Sequence, residues 1–478
     1  MTDPRAHSTA RASPRARRCP AGAGGDARAP GLRGRVAGLA AAVLLAAAGA
    51  GCSSAHYLVN APQRDSAAPA AGYSLRHLEA VNNTDSLLVV LTLSGGGYRA
   101  AALAHAVMAL MAETPLSWDG HDTTLLQELD LISAVSGGSL AAAFYAAEPE
   151  RFVTEFPDRV LATDLQAALV QHTLSPSGLW RQGSKTFGRG DLLQEVLDAH
   201  VFQGRRYGDL PRRRPMVYIN ATDMRHGERF EFTQDQFDHL CSDLDAFPLA
   251  RAVAASMAVP VLLSPITVWN HAAQCPPGRA LVPVPGRAAT SRYIHLVDGG
   301  LADNTGLSAV LDNVAVHGGL QRTARVSRLV GVRKRVIIVV NAQVNPDQPE
   351  DETPHTPGLL RQLRSIVHVP IDRHADASVQ MLGKTVRQWQ HDLRAAAGPG
   401  GRGQPDDFHV IEINLAQARD PALAAALQQV PTGLRIAAAD LALIRRFVRE
   451  EVVQHPEWLR LLRAVTGEPA RNTALAAF

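Results

Sequence analysis

The sequence contains few of the features that mark metal, redox or membrane-spanning proteins. Only four of its 478 residues are cysteine, and no two of them have the CxxC spacing of a zinc or redox site. Aromatic residues make up 5% of the chain. The chain also lacks an EF-hand-like loop, so we expect no metal site and no cofactor.

A basic excess is also missing from most of the chain. The formal net charge is +3, but residues 1–51 contain eight arginines and two acidic residues and therefore carry +6. Residues 52–478 consequently carry −3. Composition gives little support for nucleic-acid binding, and we expect no nucleic-acid partner.

The N-terminal segment has the pattern of an export signal. Arg33 and Arg35 precede the apolar stretch VAGLAAAVLLAAAGAGC, which is short for a bilayer span and suits a signal-peptide core. Its end at Cys52 resembles the lipobox of bacterial lipoproteins. This resemblance implies lipidation of Cys52 and a bacterial cell-envelope location, either lipid-anchored, on the periplasmic side of the outer membrane, or secreted. A plain secretory signal with an incidental cysteine is the alternative.

Composition divides the chain into four parts. We interpret residues 1–51 as the signal peptide with a long basic N-region, and residues 52–80, rich in Ala, Pro and Ser, as a flexible tether. Residues 81–345 are predicted to form the main domain. Residues 346–478 are predicted to be mainly helical and to pack on it.

Apolar runs followed by helical patterns predict an α/β fold. LLVVLTL at 87–93 is a continuous apolar run, as expected for a strand buried on both faces. Further strands are expected at 129–135, 215–222, 229–233, 293–297, 335–343 and 408–415, and helices at 100–111, 139–148, 248–263, 358–398 and 433–462. This alternation predicts a mostly parallel sheet with helices on both faces.

A serine stands between small residues after the strand LDLISAV. The sequence Ala134-Val135-Ser136-Gly137-Gly138 resembles a G-x-S-x-G elbow with Ala in the first position. Such a strand–turn–helix presents the serine hydroxyl at the sheet edge, with the helix N-terminus behind it. A plain helix cap is the alternative.

The run SGGGYRA at 94–100 follows the first strand. Three consecutive glycines are costly in backbone entropy, so we expect a functional reason for them. The run lacks the Gly-Lys-Ser/Thr of a P-loop and the GxGxxG spacing. Backbone N–H groups without neighbouring side chains suit an oxyanion hole, here built from Gly95, Gly96 and Gly97.

A serine nucleophile needs a base, and Asp298 is the candidate. It ends the strand YIHLV and is followed by two glycines. Partial burial would raise its pKa and make it a better base. An ordinary turn aspartate is the alternative. Asp303 and Asn304 are interpreted as cap or turn groups.

Together these motifs resemble the patatin-like phospholipases, in particular their bacterial lipoprotein-type members. Five segments occur in family order within about residues 85–345: SGGGYRA, VSGGS, NATDMRHGERFEFT, RAVAASMAVPVLLSPI and DGGLADN. The resemblance implies a three-layer α/β/α fold with a mostly parallel central sheet and a mainly helical C-terminal extension. Residues 81–345 would then be the patatin-like catalytic domain.

The resemblance also implies a reaction and its residues. A Ser–Asp dyad would cleave carboxylic esters of a phospholipid or lysophospholipid through an acyl-serine intermediate. The implied roles are Ser136 as nucleophile, Asp298 as general base, Gly95, Gly96 and Gly97 as oxyanion hole, and Arg99 as a support of that loop.

Two other functions stay open. One is a Ser–Asp–His esterase of the α/β-hydrolase type, because histidines follow Asp298 at 317, 368, 374, 391 and 409. The other is a catalytically inactive envelope protein that binds lipid.

Two cysteines follow Cys52 in the chain. Cys241 and Cys275 can form a disulfide in an oxidising compartment if the fold brings them together, which the sequence leaves open.

Overall fold

The computed structural model describes residues 55–63, 72–275, 291–329, 331–344, 354, 356, 358–397 and 408–466. Its strands are β1 (Leu87–Leu93), β2 (Pro115–Trp118), β3 (His121–Thr124), β4 (Leu129–Val135), β5 (Met216–Asp223), β6 (Arg229–Glu231), β7 (Ile266–Trp269), β8 (Tyr293–Asp298), β9 (Lys334–Asn341) and β10 (Phe408–Asn414).

The α-helices are α1 (Gly97–Glu113), α2 (Gly137–Ala147), α3 (Phe152–Phe156), α4 (Leu165–Leu174), α5 (Pro176–Gln182), α6 (Arg189–Leu197), α7 (Gln234–Asp238), α8 (Leu249–Ser256), α9 (Gly300–Asp303), α10 (Leu307–Val316), α11 (Leu320–Val326), α12 (Leu359–Ala397), α13 (Pro421–Gln428), α14 (Ala438–Glu450) and α15 (Pro456–Thr466). Short 3₁₀ or π turns cover Leu75–His77, Pro149–Arg151, Pro157–Leu161, Asp198–Phe202, Tyr207–Asp209, Ala272–Gln274, Leu415–Gln417 and Val452–Gln454.

Eight strands form the central sheet. Their order is β10-β9-β1-β4-β5-β8-β7, with β6 paired to β5, while β2 and β3 form a separate hairpin. The pairs from β10 to β5 are parallel, and β6, β7 and β8 add antiparallel pairs. Two groups of helices flank the sheet, so the predicted α/β/α fold class is confirmed.

The register of the sheet brings distant segments to one edge. Leu93 at the end of β1 pairs with Ala134, and Val135 at the end of β4 pairs with Asn220. Ala221 pairs in turn with Asp298. Parallel strands end at the same edge of a sheet, so the glycine run and the serine turn lie side by side. Strand β8 is antiparallel to β5, and its register with Ala221 brings its last residue, Asp298, to the same edge.

Alanine and other small side chains allow close packing beneath this edge. Helix α1 contains AAALAHAVMALMA, a run of strong helix formers, and most of it is buried. Helix α2 is buried from Gly137 to Tyr145 and packs on both α1 and the sheet. Two closely packed helices thus hold the turns that precede them in fixed positions.

One of the sequence expectations is wrong in detail. The helix expected over 248–263, with a stop near Pro260, ends at Ser256, and the carbonyls of Ser256 and Ala258 accept from the N–H groups of Gly299 and Asp298 instead. The strands at 229–231 and 293–298 pair antiparallel with β5 within the mostly parallel sheet; the sequence does not indicate their direction, since short apolar strands have the same pattern in either direction. The helices between 152 and 197 had no clear signal in the sequence.

The C-terminal part contributes to the same sheet and helix layers. Strand β10 pairs with β9, and α14 packs against α1. Among the described helices, none has both the length and the apolar composition needed to cross a bilayer. The division of the chain at residue 345 stays a prediction, as do the leader and tether boundaries.

Candidate active site

Ser136 occupies a strained turn between β4 and α2. Its backbone has φ 50° and ψ −120°, a region that non-glycine residues rarely adopt. The next residue must be glycine, because a Cβ atom on Gly137 would lie 1.9 Å from the carbonyl oxygen of Gly97. Ala134, by contrast, lies within β4, where an alanine is unstrained. The departure from the elbow pattern at Ala134 therefore has no geometric cost.

The carboxylate of Asp298 contacts the hydroxyl of Ser136 directly. Ser136 Oγ donates a hydrogen bond of 2.8 Å to Asp298 Oδ2, while Asp298 Oδ1 accepts one of 2.8 Å from the Gly300 N–H. The exposed fractions of the two side chains' residues are only 6% and 4%. The sequence-predicted nucleophile and base thus meet in one buried pair.

Burial sets the acidity of this carboxyl group. Removal from water raises the pKa of Asp298 to about 6, against the opposing effect of the hydrogen bonds from Gly300 and Ser136. Near neutral pH the group is ionised but holds a proton more readily than an exposed aspartate. This is the property expected of a general base that must later return its proton.

The C-terminal end of α8 and the residues after it bond the backbone of both Ser136 and Asp298. Ser256 Oγ accepts a 2.8 Å hydrogen bond from the Ser136 N–H and donates a 2.6 Å bond to the Asn220 carbonyl. Two residues further on, the Ala258 carbonyl accepts from the Asp298 N–H at 2.9 Å. This segment is one of the five that resemble the family, but the sequence alone indicates no role for Ser256 or Ala258.

The glycine loop lies against the serine. A Cβ atom on Gly95 would be 3.2 Å from the Cβ of Ser136 and 2.4 Å from Asn304 Oδ1. The Gly95 N–H donates to the Asn304 carbonyl at 3.0 Å, so it is already engaged. Of the three glycines predicted to form the oxyanion hole, Gly95 therefore has its amide engaged by another residue. Among the described residues, no group accepts from the N–H of Gly96 or Gly97.

Arg99 and the C-terminal part hold the glycine loop in place. The buried Arg99 guanidinium donates to the carbonyls of Ala342 (2.9 Å) and Val430 (2.8 Å). The Tyr98 N–H donates to the Gly433 carbonyl at 2.8 Å. The residues around 430–433 therefore form one wall of the loop, a contact that no local sequence signal could have revealed.

The remaining candidates occupy other positions. Asp303 accepts hydrogen bonds from Thr305 and from the Ser308 N–H, as a turn or cap group does. Cys241 and Cys275 are joined by a disulfide, with Cα atoms 5.5 Å apart. Cys52 lies outside the described residues. In the part of the chain that the structure describes, no cluster of three His, Cys, Asp or Glu side chains could hold a metal ion.

A histidine partner for the aspartate is not found among the described side chains. Both oxygens of Asp298 are engaged by Ser136 and Gly300. His317 bonds the Asn313 carbonyl, and His391 faces Asp392. The side chain of His368 lies outside what the structure describes.

The fold and the site define an α/β protein with a buried serine–aspartate pair beside free backbone amides. Residues 91–311 match the family model of the patatin-like phospholipases. This match confirms, for residues 91–311, the resemblance to the patatin-like phospholipases seen in the sequence.

Solved structures with a similar fold have low sequence identity to the chain. Human GIVD cytosolic phospholipase A2 matches at 13% identity and a TM-score of 0.41, over 80% of this chain and 60% of that one. VipD from Legionella pneumophila matches at 13% identity and a TM-score of 0.31, over 88% of this chain and 73% of that one. The chain thus spans less than two thirds of the first protein's length. No curated protein sequence matches it.

Proposed function

We propose that the protein hydrolyses carboxylic esters of phospholipids or lysophospholipids with Ser136 as nucleophile and Asp298 as general base. The observation that carries this proposal is the 2.8 Å hydrogen bond from Ser136 Oγ to Asp298 Oδ2. A hydroxyl donating to a carboxylate whose pKa is about 6 can lose its proton as it attacks. The lipid character of the substrate comes from the family.

The reaction proceeds in two halves. Ser136 Oγ bonds to the ester carbonyl carbon while its proton passes to Asp298, and the carbonyl electron pair moves onto the oxygen. We assign the amides of Gly96 and Gly97, for which no acceptor is found among the described residues, as the donors to that oxyanion. The ester C–O bond then breaks, and the leaving alcohol takes the proton from Asp298.

The second half releases the acyl group. Water attacks the acyl-serine carbonyl and gives a proton to Asp298, and the new oxyanion collapses as the bond to Ser136 Oγ breaks. Ser136 takes that proton back, and the fatty acid leaves. In each half-reaction Asp298 accepts one proton and then gives it back, so no further proton carrier is required.

The cellular setting is part of the same proposal. We propose that the protein is exported and anchored by a lipid on Cys52 at the bacterial cell envelope, where phospholipid is available. Mass analysis of the N-terminal peptide from membrane fractions tests this anchor, since a lipid-free mature N-terminus would contradict it.

The catalytic assignment is tested with Ser136→Ala. We expect ester hydrolysis to fall by about 10⁴-fold and labelling by a fluorophosphonate probe to disappear. The matched control is Ser133→Ala, three residues earlier on β4, whose hydroxyl donates to the Gly306 carbonyl at 2.7 Å. Full activity and labelling in folded Ser136→Ala would contradict the proposal.

Further results separate the alternatives. A loss of similar size in an alanine variant of one histidine after Asp298 would favour a Ser–Asp–His esterase. Failure of the folded wild-type protein to react with the probe or to hydrolyse any ester would favour an inactive lipid-binding protein.

A further inference from the structure

Several exposed apolar side chains are grouped in two segments of the chain. Among the described residues, 15 large apolar side chains are exposed, and six of them occur in two short segments. We call these six the apolar rim: Val170, Leu174, Leu179, Trp180, Val261 and Leu262, which are 45% to 65% exposed. Single exposed apolar residues need no explanation, but grouped ones mark interaction surfaces.

The first rim segment is the helix pair α4–α5. Val170 and Leu174 are one turn apart and so share a face of α4. The Ser175 hydroxyl accepts from the Gly178 N–H at 3.0 Å, and Gln182 Nε2 donates to the Thr173 carbonyl at 2.9 Å. These bonds hold the two helices in one rigid hairpin. The apolar side chains of the hairpin are therefore held at the surface.

The second rim segment follows α8. Val261 has φ 72°, an unfavourable conformation for a β-branched residue. The conformation keeps the side chains of Val261 and Leu262 in solvent, 50% and 45% exposed. Ser256 and Ala258, which bond the backbone of Ser136 and Asp298, immediately precede this turn.

Both segments contact the same helix, α6, and each is connected to an element that contacts the candidate site. Arg181 on α5 pairs with Glu195 on α6 at 2.8 Å, and Arg189 at the start of α6 donates to the Val261 carbonyl at 2.9 Å. At its other end, α4 bonds the C-terminal part through Gln166 N–H and the Leu434 carbonyl (3.2 Å). Its neighbour Gly433 is the residue that packs against the glycine loop.

Charge indicates what covers the rim. Between Asp164 and Asp191 the chain contains Arg181, which pairs with Glu195, and two further cations, Lys185 and Arg189. Lys185 and Arg189 are exposed. Apolar side chains including a tryptophan, flanked by cations, suit the boundary between acyl chains and anionic headgroups better than they suit a water-facing surface.

We propose that the apolar rim binds the surface of an anionic phospholipid bilayer and places Ser136 next to lipids leaving it. This inference rests on the proposed lipid hydrolysis. It adds a docking surface belonging to the folded domain itself, which acts independently of a lipid on Cys52.

The test compares vesicle binding by full-length protein in which Cys52→Ser removes any anchor and Ser136→Ala prevents digestion. Leu174→Asp and Leu262→Asp, one from each rim segment, are expected to bind vesicles of equal parts phosphatidylcholine and phosphatidylglycerol at least tenfold more weakly than the parent. The control is Val316→Asp, whose side chain is 81% exposed on α10. It should bind like the parent, and binding by the parent should weaken in pure phosphatidylcholine.

A second measurement, with Ser136 intact, separates docking from catalysis. Rim variants should lose at least tenfold more activity on vesicles than on a short-chain ester dissolved as monomers. Equal losses on both substrates, or unchanged vesicle binding, would overturn the inference. A change of oligomeric state with unchanged vesicle binding would overturn it in favour of contact between copies of the chain.

The two proposals fail in different ways. If the wild type hydrolyses the soluble ester but rim variants bind vesicles normally, the docking surface is wrong and the hydrolase stands. If binding depends on the rim but no ester is cleaved, the docking surface stands and the proposed hydrolysis fails.

Discussion

A buried carboxylate lies at each end of β4: Asp130 belongs to the strand itself, and Asp298, the last residue of β8, lies beside the turn that follows the strand. The two carboxylates differ in their partners. At the amino end, Asp130 pairs with the Arg214 guanidinium at 3.0 Å and accepts from the Val89 N–H at 2.9 Å. At the carboxyl end, Asp298 meets the hydroxyl of Ser136 and one backbone N–H, and no described cation pairs with it. Their exposed fractions are 0% and 4%.

The difference shows what makes a buried carboxylate reactive. Burial raises the pKa of Asp130 to about 7 and that of Asp298 to about 6, although Arg214 opposes the rise only at Asp130. The hydrogen-bond partner, and not the pKa, therefore distinguishes the two groups. A guanidinium also occupies the oxygen that would otherwise accept a proton. Asp298 keeps one oxygen directed at a hydroxyl donor, so burial there yields a base. At Asp130 burial yields a structural ion pair.

The largest expected effect separates the two carboxylates by activity. Asp298→Asn keeps the shape of the side chain but cannot accept the proton of Ser136, so we expect kcat/KM on a soluble ester to fall about 10³–10⁴-fold. Asp130→Asn, assayed under conditions where it is folded, should stay within a few fold of wild type. Equal losses of kcat/KM in the two variants would show that Asp298 has no catalytic role that Asp130 lacks.

The second effect is on stability, where we expect Asp130→Asn to lose more than Asp298→Asn. Asp130→Asn leaves the Arg214 charge buried without its partner, and we expect a loss of about 3–5 kcal/mol in the free energy of unfolding. Urea titration followed by circular dichroism measures it. Replacing Arg214 as well, with Met, should recover part of the loss. A single variant as stable as wild type would show that the ion pair is not structural.

The third effect is the pH dependence of the reaction. The base must be ionised, and the pKa of Asp298 is about 6, so kcat/KM should fall about tenfold per pH unit below that value and level off above it. Asp130→Asn should leave the midpoint unchanged. A midpoint near 4, as for an exposed aspartate, would mean that burial does not tune this group.

The smallest effect concerns strain at the carboxyl end of β4. Because Ser136 has φ 50°, replacement by glycine should relieve strain that replacement by alanine keeps. We expect Ser136→Gly to be about 1 kcal/mol more stable than Ser136→Ala in thermal or urea unfolding. At Ser133, in the regular part of the strand, the order should be reversed.

Local sequence predicted much of this architecture but not its connections. The apolar run of β1, the serine turn and the glycine run all lie where they were expected, because each depends on neighbouring residues. The end of α8 was mispredicted, and the antiparallel direction of β6 and β8 was not indicated, since both depend on partners distant in the chain. The hydrogen bond from the Gly95 amide to the Asn304 carbonyl likewise depends on a partner distant in the chain.

By itself, the sequence determined the parts: strand–turn–helix units, glycines where no side chain fits, and a serine and an aspartate at strand ends. Only the tertiary structure decided that residues 162 positions apart share a hydrogen bond, and that burial raises the pKa of the carboxyl partner. Backbone propensity acts over a few residues. Proton transfer needs atoms within about 3 Å, which strand order and register alone can provide.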